Sequence, residues 1–416
     1  MRFTTLEQWL RWQESLHPRE IDLGLDRVRE VFQRLQLGEP PFKIISVAGT
    51  NGKGSCVAML DAIYRAAGYN VGAYTSPHIK RYNERVVVNG QPVSDNALCD
   101  MFERVDQSRQ DVSLTYFEFG TLAAIGLFYQ AQVDVVILEV GLGGRLDAVN
   151  IMDADVALIS SIGLDHEAWL GNSREAVALE KAGIARAHHP VVCGDPDPPA
   201  RLMDHLASLQ APLFLINRDF HFQPHTGRWD WQSGNHRRSG LPMPALPGDI
   251  QILNAASVLM TVDLLAEQLP VSDAGIHSGL QSVTLPGRLQ LIPGEVTLFV
   301  DVAHNPQSAQ ALALALTRQP CQGKTRAVFA VLKDKDVTGI LRTMAGVVDA
   351  WYIAQLDVER AMAVGDILEQ LRRLDATVPA ACYDSVELAK NAATEACVPG
   401  DRVVVFGSFY VVSEVL

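Results

Sequence analysis

The first forty residues carry a helical period. Leu6, Trp9 and Leu10 follow Thr4, and Thr4 with Glu7 has capping-box spacing. Leu25, Val28, Phe32 and Leu35 mark one face of a second helix that stops at Gly38, before the break at Pro40-Pro41. From Lys43 the pattern changes to strand (43–48), glycine-rich loop (49–55), helix (57–67, closed by Gly68) and strand (71–74). Apolar runs at 133–140 and 156–162 predict two more buried strands, with helices near 96–107 and 120–130. Short apolar runs separated by helices predict a parallel sheet covered on both faces.

Residues 211–247 break this rhythm. Trp229 and Trp231 sit there among Pro, His and Arg in short polar stretches, which reads as β-hairpins or a surface insertion. Helices are predicted at 250–268 and 272–283. Pro286-Gly287 marks a domain border, and a second α/β series follows with strands at 298–302, 326–331, 350–354 and 403–406. The expected fold class is α/β, with one α/β unit over 1–285 and a smaller one over 286–416.

Length agrees with that division, since 416 residues suit two or three domains at roughly 100–200 residues each. With 48% hydrophobic residues each domain can bury a core. The net charge of −13 argues against nucleic acid or an anionic membrane as main partner. Anionic small molecules need only local positive charge, so they stay possible. The six cysteines are scattered without a C-x-x-C pair, which favours a reducing compartment over zinc or disulfides. Glu7, Arg11 and Glu14 lie in an amphipathic start that does not read as a signal peptide, and no apolar run approaches the ~20 residues of a membrane helix.

The strongest local signal is Gly49-Thr50-Asn51-Gly52-Lys53-Gly54-Ser55 between a strand and a helix. Glycines let backbone N–H groups approach a polyphosphate, Lys53 adds a point charge, and the helix dipole favours the anion. The loop departs from a standard Walker A: Val47 stands at its first glycine position, and Gly54 where the hydroxyl after the lysine is usual. A metal here must therefore draw ligands from elsewhere. Gly141-Leu142-Gly143-Gly144 also follows a strand, but Leu146 occupies the third glycine position of a dinucleotide fingerprint.

Three polar residues fall at or just past strand ends: Ser76, Glu139 and His166. A carboxylate on a buried strand needs a donor or a metal. Hydroxyl, carboxylate and imidazole could hold magnesium together with phosphate oxygens and water. Lys181, on a helix begun by Ser173, reads by itself as a solvated lysine paired with a neighbour.

Taken together, these segments resemble the folylpolyglutamate synthase family of Mur-type ligases, near its bacterial bifunctional dihydrofolate synthase branch. The resemblance rests on the glycine-rich loop, Thr75-Ser76-Pro77-His78, Glu139 through Ala148, Asp165-His166, Glu180 through Ile184, Leu285 through Arg288, and Asp301 through Pro306. It implies a P-loop, Mur-ligase-like ATPase domain over 1–285 and a smaller, Rossmann-like C-terminal glutamate-ligase domain over 286–416. It implies ATP at Asn51, Gly52, Lys53, Gly54, Ser55, Asn254, Arg288 and Asp301, and Mg2+ on Ser76, Glu139 and His166. It implies a carbamylated Lys181. It also implies pterin binding by Asp22, Arg27, Thr115, Tyr116, Phe117, Glu118, Leu146, Asp147 and Ala148. One departure stands out: Gly248-Asp249-Ile250-Gln251 lacks the histidine that many members carry in this stretch.

The expected reaction joins L-glutamate to dihydropteroate or reduced folates. The acid attacks the γ-phosphorus of ATP, and the amine of glutamate then displaces phosphate from the acyl phosphate. Lys53, Lys181 and His304 are the expected catalytic residues, with the second domain closing over the nucleotide to exclude water. A cytoplasmic monomer is expected. Two rivals are a muramoyl-type ligase and a non-ligase P-loop NTPase. The P-loop at residue 49 leaves no room for the extra N-terminal domain of about 80–100 residues that the first would carry.

Overall fold

The computed structural model describes residues 2–319 and 321–416. The chain forms two compact units, Met1–Ala245 with Ile252–Thr284, and Leu246–Gln251 with Leu285–Leu416. The stretch 246–251 thus groups with the second unit although it precedes Pro286-Gly287 in the chain.

Unit 1 is built on an eight-stranded sheet. Its strands are β1 (Lys43–Ala48), β2 (Val71–Tyr74), β3 (Val86–Val88), β4 (Gln91–Pro92), β5 (Val135–Glu139), β6 (Val156–Ile159), β7 (Val191–Cys193) and β8 (Leu213–Leu215). The order is β4-β3-β2-β5-β1-β6-β7-β8. Six strands are parallel, while β3 and β4 form an antiparallel edge. The central runs Ile44–Ala48 and Val135–Glu139 are buried throughout, as strands covered on both faces must be. Helix Lys53–Ala66 packs against helix Asp273–Ser282, and Gly279 permits the approach, since a Cβ there would stand 2.5 Å from the Cα of Ile63.

The 211–247 stretch splits. Its first strand, β8, belongs to the main sheet; only β9 (Phe220–His225), β10 (Arg228–Ser233) and β11 (His236–Pro242) make a separate antiparallel sheet. Trp229 and Trp231 are fully buried beneath it, and their indole N–H groups donate to the carbonyls of Pro242 and Ala256.

Unit 2 holds β12 (Gln290–Ile292), β13 (Thr297–Asp301), β14 (Thr325–Phe329), β15 (Ala350–Ala354), β16 (Ala380–Tyr383) and β17 (Arg402–Phe406), in the order β12-β13-β17-β14-β15-β16. All pairs but β12–β13 are parallel. Phe329, Trp351 and Phe406 pack edge to face and tilted at its centre.

Several local expectations shift. The first helix, Leu6–Leu16, is capped by Thr5 with Gln8, not Thr4 with Glu7, because the side chains that close the box are one position on. The helix after the glycine-rich loop starts at Lys53, four residues earlier than apolar periodicity suggests, since its first turn consists of loop residues.

Candidate active site

In unit 1 the strand order reverses around β1, with β2 and β5 to one side and β6 to the other, where open α/β sheets bind ligands beyond their carboxyl ends. Register sets the strand ends level. Val47 pairs with Glu139 across β1–β5, and Ala48 with Ile159 across β1–β6.

The glycine-rich loop is fixed by groups that sequence reasoning missed. Thr50 donates its N–H to the carbonyl of Ser161 at 2.9 Å, and Asn51 donates its N–H to Ser161 Oγ at 3.0 Å. Ser160 Oγ and Ser161 Oγ both donate to the carbonyl of Asn51, at 2.7 and 3.0 Å. Two serines after an apolar strand carry no pattern of their own, so only the fold reveals them. Gly52 caps the helix with φ 88°, and a Cβ there would lie 2.7 Å from Asn254 Oδ1. Asn254 is therefore brought to the loop from 202 positions further along the chain, although it lies mid-helix in Ile250–Leu264. Lys53 Nζ donates to the carbonyl of Gly49 at 3.0 Å. Ser55 is buried within the first helical turn, and Gly54 is half-buried beside it.

Glu139 is 5% exposed, and Ser76 donates its N–H to Glu139 Oε2 at 3.1 Å. The register explains the meeting: Tyr74 of β2 pairs with Leu138 of β5, so the chain past each strand end lies side by side. His166 stands half-buried in the left-handed region, its N–H donating to Asp165 Oδ1 at 2.8 Å. Among the described residues no group of three or more His, Cys, Asp and Glu side chains is placed to hold a metal. The expected set contains only two such side chains. A hydroxyl, a carboxylate and an imidazole are still donors that magnesium accepts when phosphate and water complete the shell.

Lys181 corrects its solvated reading. It is 3% exposed, and burial, reinforced by repulsion from Lys53 and opposed by Asp165, pulls its amine down to about 7. Asp147 is also buried, and desolvation lifts its carboxyl to about 7 against the N–H groups of Leu142, at 2.8 Å, and Val149, at 3.1 Å. Ala148 is buried beside it and Leu146 half-buried.

The other expected pterin residues form a second cluster. Arg27 donates to Asp22 Oδ2 at 2.7 Å and to Glu118 Oε1 at 3.0 Å. Glu118 closes a capping box with Thr115, accepting its N–H at 2.8 Å. Phe117 packs 5.8 Å from the ring of Tyr74, and Tyr116 meets the Arg85 guanidinium at 5.5 Å. Arg85 also donates to His78 Nδ1 at 2.9 Å, and burial with the Arg85 charge lowers that imidazole to about 4.

Unit 2 has its own polar cluster. Asp301 Oδ2 accepts the N–H of Leu289 and Asp301 Oδ1 that of Ala303, both at 2.7 Å. Burial raises the Asp301 carboxyl, and the charge of Arg288 opposes the rise. The Arg288 guanidinium lies 5.5 Å over the ring of Phe409. His304 Nδ1 is 2.8 Å from the carbonyl of Val302. A carbonyl only accepts, so that nitrogen carries a proton.

Residues 287–409 match the family model described as Mur ligase, glutamate ligase domain. With the P-loop unit ahead of it, this defines an ATP-dependent acid–amino-acid ligase of the Mur type. The chain is 42% identical over 411 residues to the dihydrofolate synthase/folylpolyglutamate synthase of Escherichia coli (strain K12), covering 99% of this chain and 94% of the relative. The solved structure of E. coli FolC in complex with DHPP and ADP superposes with a TM-score of 0.94 at 42% identity, over 99% of this chain and 97% of that one. A bifunctional folylpolyglutamate synthase/dihydrofolate synthase with Mn, AMPPNP and L-glutamate bound gives a TM-score of 0.92 at 45% identity, over 99% and 97%. The chain belongs to the dihydrofolate synthase/folylpolyglutamate synthase family.

Proposed function

We propose the following reading of how this chain works. It is an ATP- and Mg2+-dependent ligase that joins L-glutamate to dihydropteroate and/or to reduced folates through an acyl phosphate. The observation that carries it is the glycine-rich loop at the sheet's switch point, held open by Ser160 and Ser161 with Lys53 at its helix end.

Asn51, Gly52, Lys53, Gly54 and Ser55 cradle the triphosphate with backbone N–H groups and the lysine charge, and Asn254 flanks them. Ser76, Glu139 and His166 hold magnesium, which when bound neutralises phosphate charge. Lys181 sits low enough in pKa for its neutral amine, the form that reacts with CO2, to be populated at neutral pH. Its carbamate would replace a cation with an anion beside the metal residues. Asp22, Arg27, Thr115, Tyr116, Phe117, Glu118, Leu146, Asp147 and Ala148 receive the pterin. A carboxyl held near 7 can donate as well as accept, which suits Asp147 to an amide-like pterin edge. In unit 2, Arg288 and Asp301 contribute to nucleotide binding, and His304 contacts glutamate or phosphate. The divisions 1–285 and 286–416 are read as the ATP-binding and glutamate-ligase domains.

No helix among the described residues is long and apolar enough to cross a membrane. We place the protein in the cytoplasm as a monomer.

The test supplies ATP, Mg2+, glutamate and either dihydropteroate or tetrahydrofolate, and measures phosphate release. Release that needs both organic substrates supports the ligase. Equal release without them would sink it.

A further inference from the structure

The segment that carries His166 is tied at both ends to one buried carboxylate. At its start, Ile162 donates its N–H to Asp195 Oδ2 at 2.7 Å, and the Ile162 carbonyl accepts from Arg174 Nε at 3.0 Å. At its end, Arg174 reaches Asp195 Oδ1 at 3.2 Å and the carbonyl of Asp197 at 2.8 Å. Asp195 is 4% exposed and lies two residues past β7, so a neighbouring strand end supplies the anchor. Gly163, next after Ile162, exchanges two hydrogen bonds with Thr50 of the glycine-rich loop, each 2.9 Å.

Between these anchors the chain passes through His166 at φ 52° and ψ 41°. A residue with a Cβ stays in that region only where its surroundings fix it. Besides the bonds that His166 makes with Asp165, Trp169 and Leu170, the path is constrained by Thr50 with Gly163 on one side and Asp195 with Arg174 on the other.

We propose that Asp195 and Arg174 are positioning residues for the ligase reaction: by closing residues 162–174 into a loop anchored beside the glycine-rich loop, they set the place of His166. The proposal rests on the assignment of His166 to the metal made above. Groups that orient a metal ligand change metal affinity by roughly 10–100-fold when removed, without touching the ion.

Calorimetric titration with Mn2+–AMPPNP tests this, with metal-free ADP as control. Arg174→Ala and Asp195→Asn should bind Mn2+–AMPPNP about tenfold more weakly, bind ADP as the unaltered protein does, and Arg174→Lys should recover part of the loss. Arg174 is half-exposed, so its alanine variant is the one expected to fold without difficulty. His166→Ala run alongside separates the two ideas. If His166→Ala weakens Mn2+–AMPPNP and Arg174→Ala does not, the positioning role is overturned and the metal assignment stands. If His166→Ala binds as tightly as the unaltered protein, the metal assignment fails and this inference with it. Equal losses for ADP and Mn2+–AMPPNP in Arg174→Ala would mean the pair merely supports the fold, which also overturns it.

Discussion

Two loops, one in each unit, leave the end of a parallel strand and are built in opposite ways. The loop after β1 is held from outside by the hydroxyls of Ser160 and Ser161, which bond the Asn51 carbonyl, and by Gly163, whose N–H and carbonyl both meet Thr50 Oγ1. The loop after β13 is held by a carboxylate at the strand's own end, Asp301, that gathers the N–H of Ala303 in the loop and the N–H of Leu289 just before β12. The first arrangement leaves a cationic helix start available to an anion. The second consumes amides and presents an arginine and an imidazole instead. Similar strand-end positions thus give an anion cradle in one unit and a side-chain cluster in the other.

The comparison can be broken most sharply at Lys53. Lys53→Ala should cut ligase turnover by on the order of 10³-fold, measured as ADP formed with both organic substrates present. Substantial turnover would remove the cradle from the mechanism. Gly52→Ala forces a Cβ into a left-handed position 2.7 Å from Asn254 Oδ1. The strain alone costs roughly 1–2 kcal/mol, and kcat/KM should fall about 10²-fold by misplacement of the loop. Asp301→Asn probes the other loop. An amide oxygen can keep one of the two N–H groups but its NH2 faces the second, a loss of about 1–3 kcal/mol, so the KM for ATP should rise about tenfold. An unchanged KM would show that the second loop needs no carboxylate.

The smallest expected effect is a pH slope. With its amine uncarbamylated, folded Lys181 is pulled down to about 7, while an unfolded lysine stands near 10.4. Between those values the unfolded chain holds the extra proton, so this lysine makes stability rise with pH from about 7 to about 10, and its full penalty is present below 7. Asp147 has the opposite sign and another window: the folded chain holds its proton from about 4 to about 7, so stability falls as pH rises through that range. Lys181→Met should abolish the rise in melting temperature between pH 7 and 9 seen by scanning calorimetry. A slope that survives in this variant would place the titration elsewhere.

Much of the fold is legible where burial is continuous. β1, β2 and β15 coincide with the apolar runs at 43–48, 71–74 and 350–354, because strands covered on both faces have nothing else to show. β3, β4, β7 and β12 escaped sequence reading, being two or three residues long, too short for a period to register, and β16 escaped it because it is a part-exposed edge strand without a buried apolar run. In the site, Ser76 and Glu139 stood out by their place at strand ends. Ser160, Ser161 and Asp195 did not, since the loop residues and Arg174 that they hold are more than twenty residues away in sequence, and distance along the chain erases the signal. Lys181 was misread because a helix lysine reports nothing of what is packed above it.

The small sheet of β9, β10 and β11 offers a practical handle. Its grip on the molecule is the Trp231 indole on the Ala256 carbonyl with the ion pairs His236–Asp263 and Arg238–Asp273, while its turns at Gly227 and Gly234 face open space, where even an added methyl would touch nothing within 4 Å. A fluorophore-binding peptide or an affinity epitope spliced at either turn would therefore meet no neighbouring atoms there and could label the enzyme for single-molecule work.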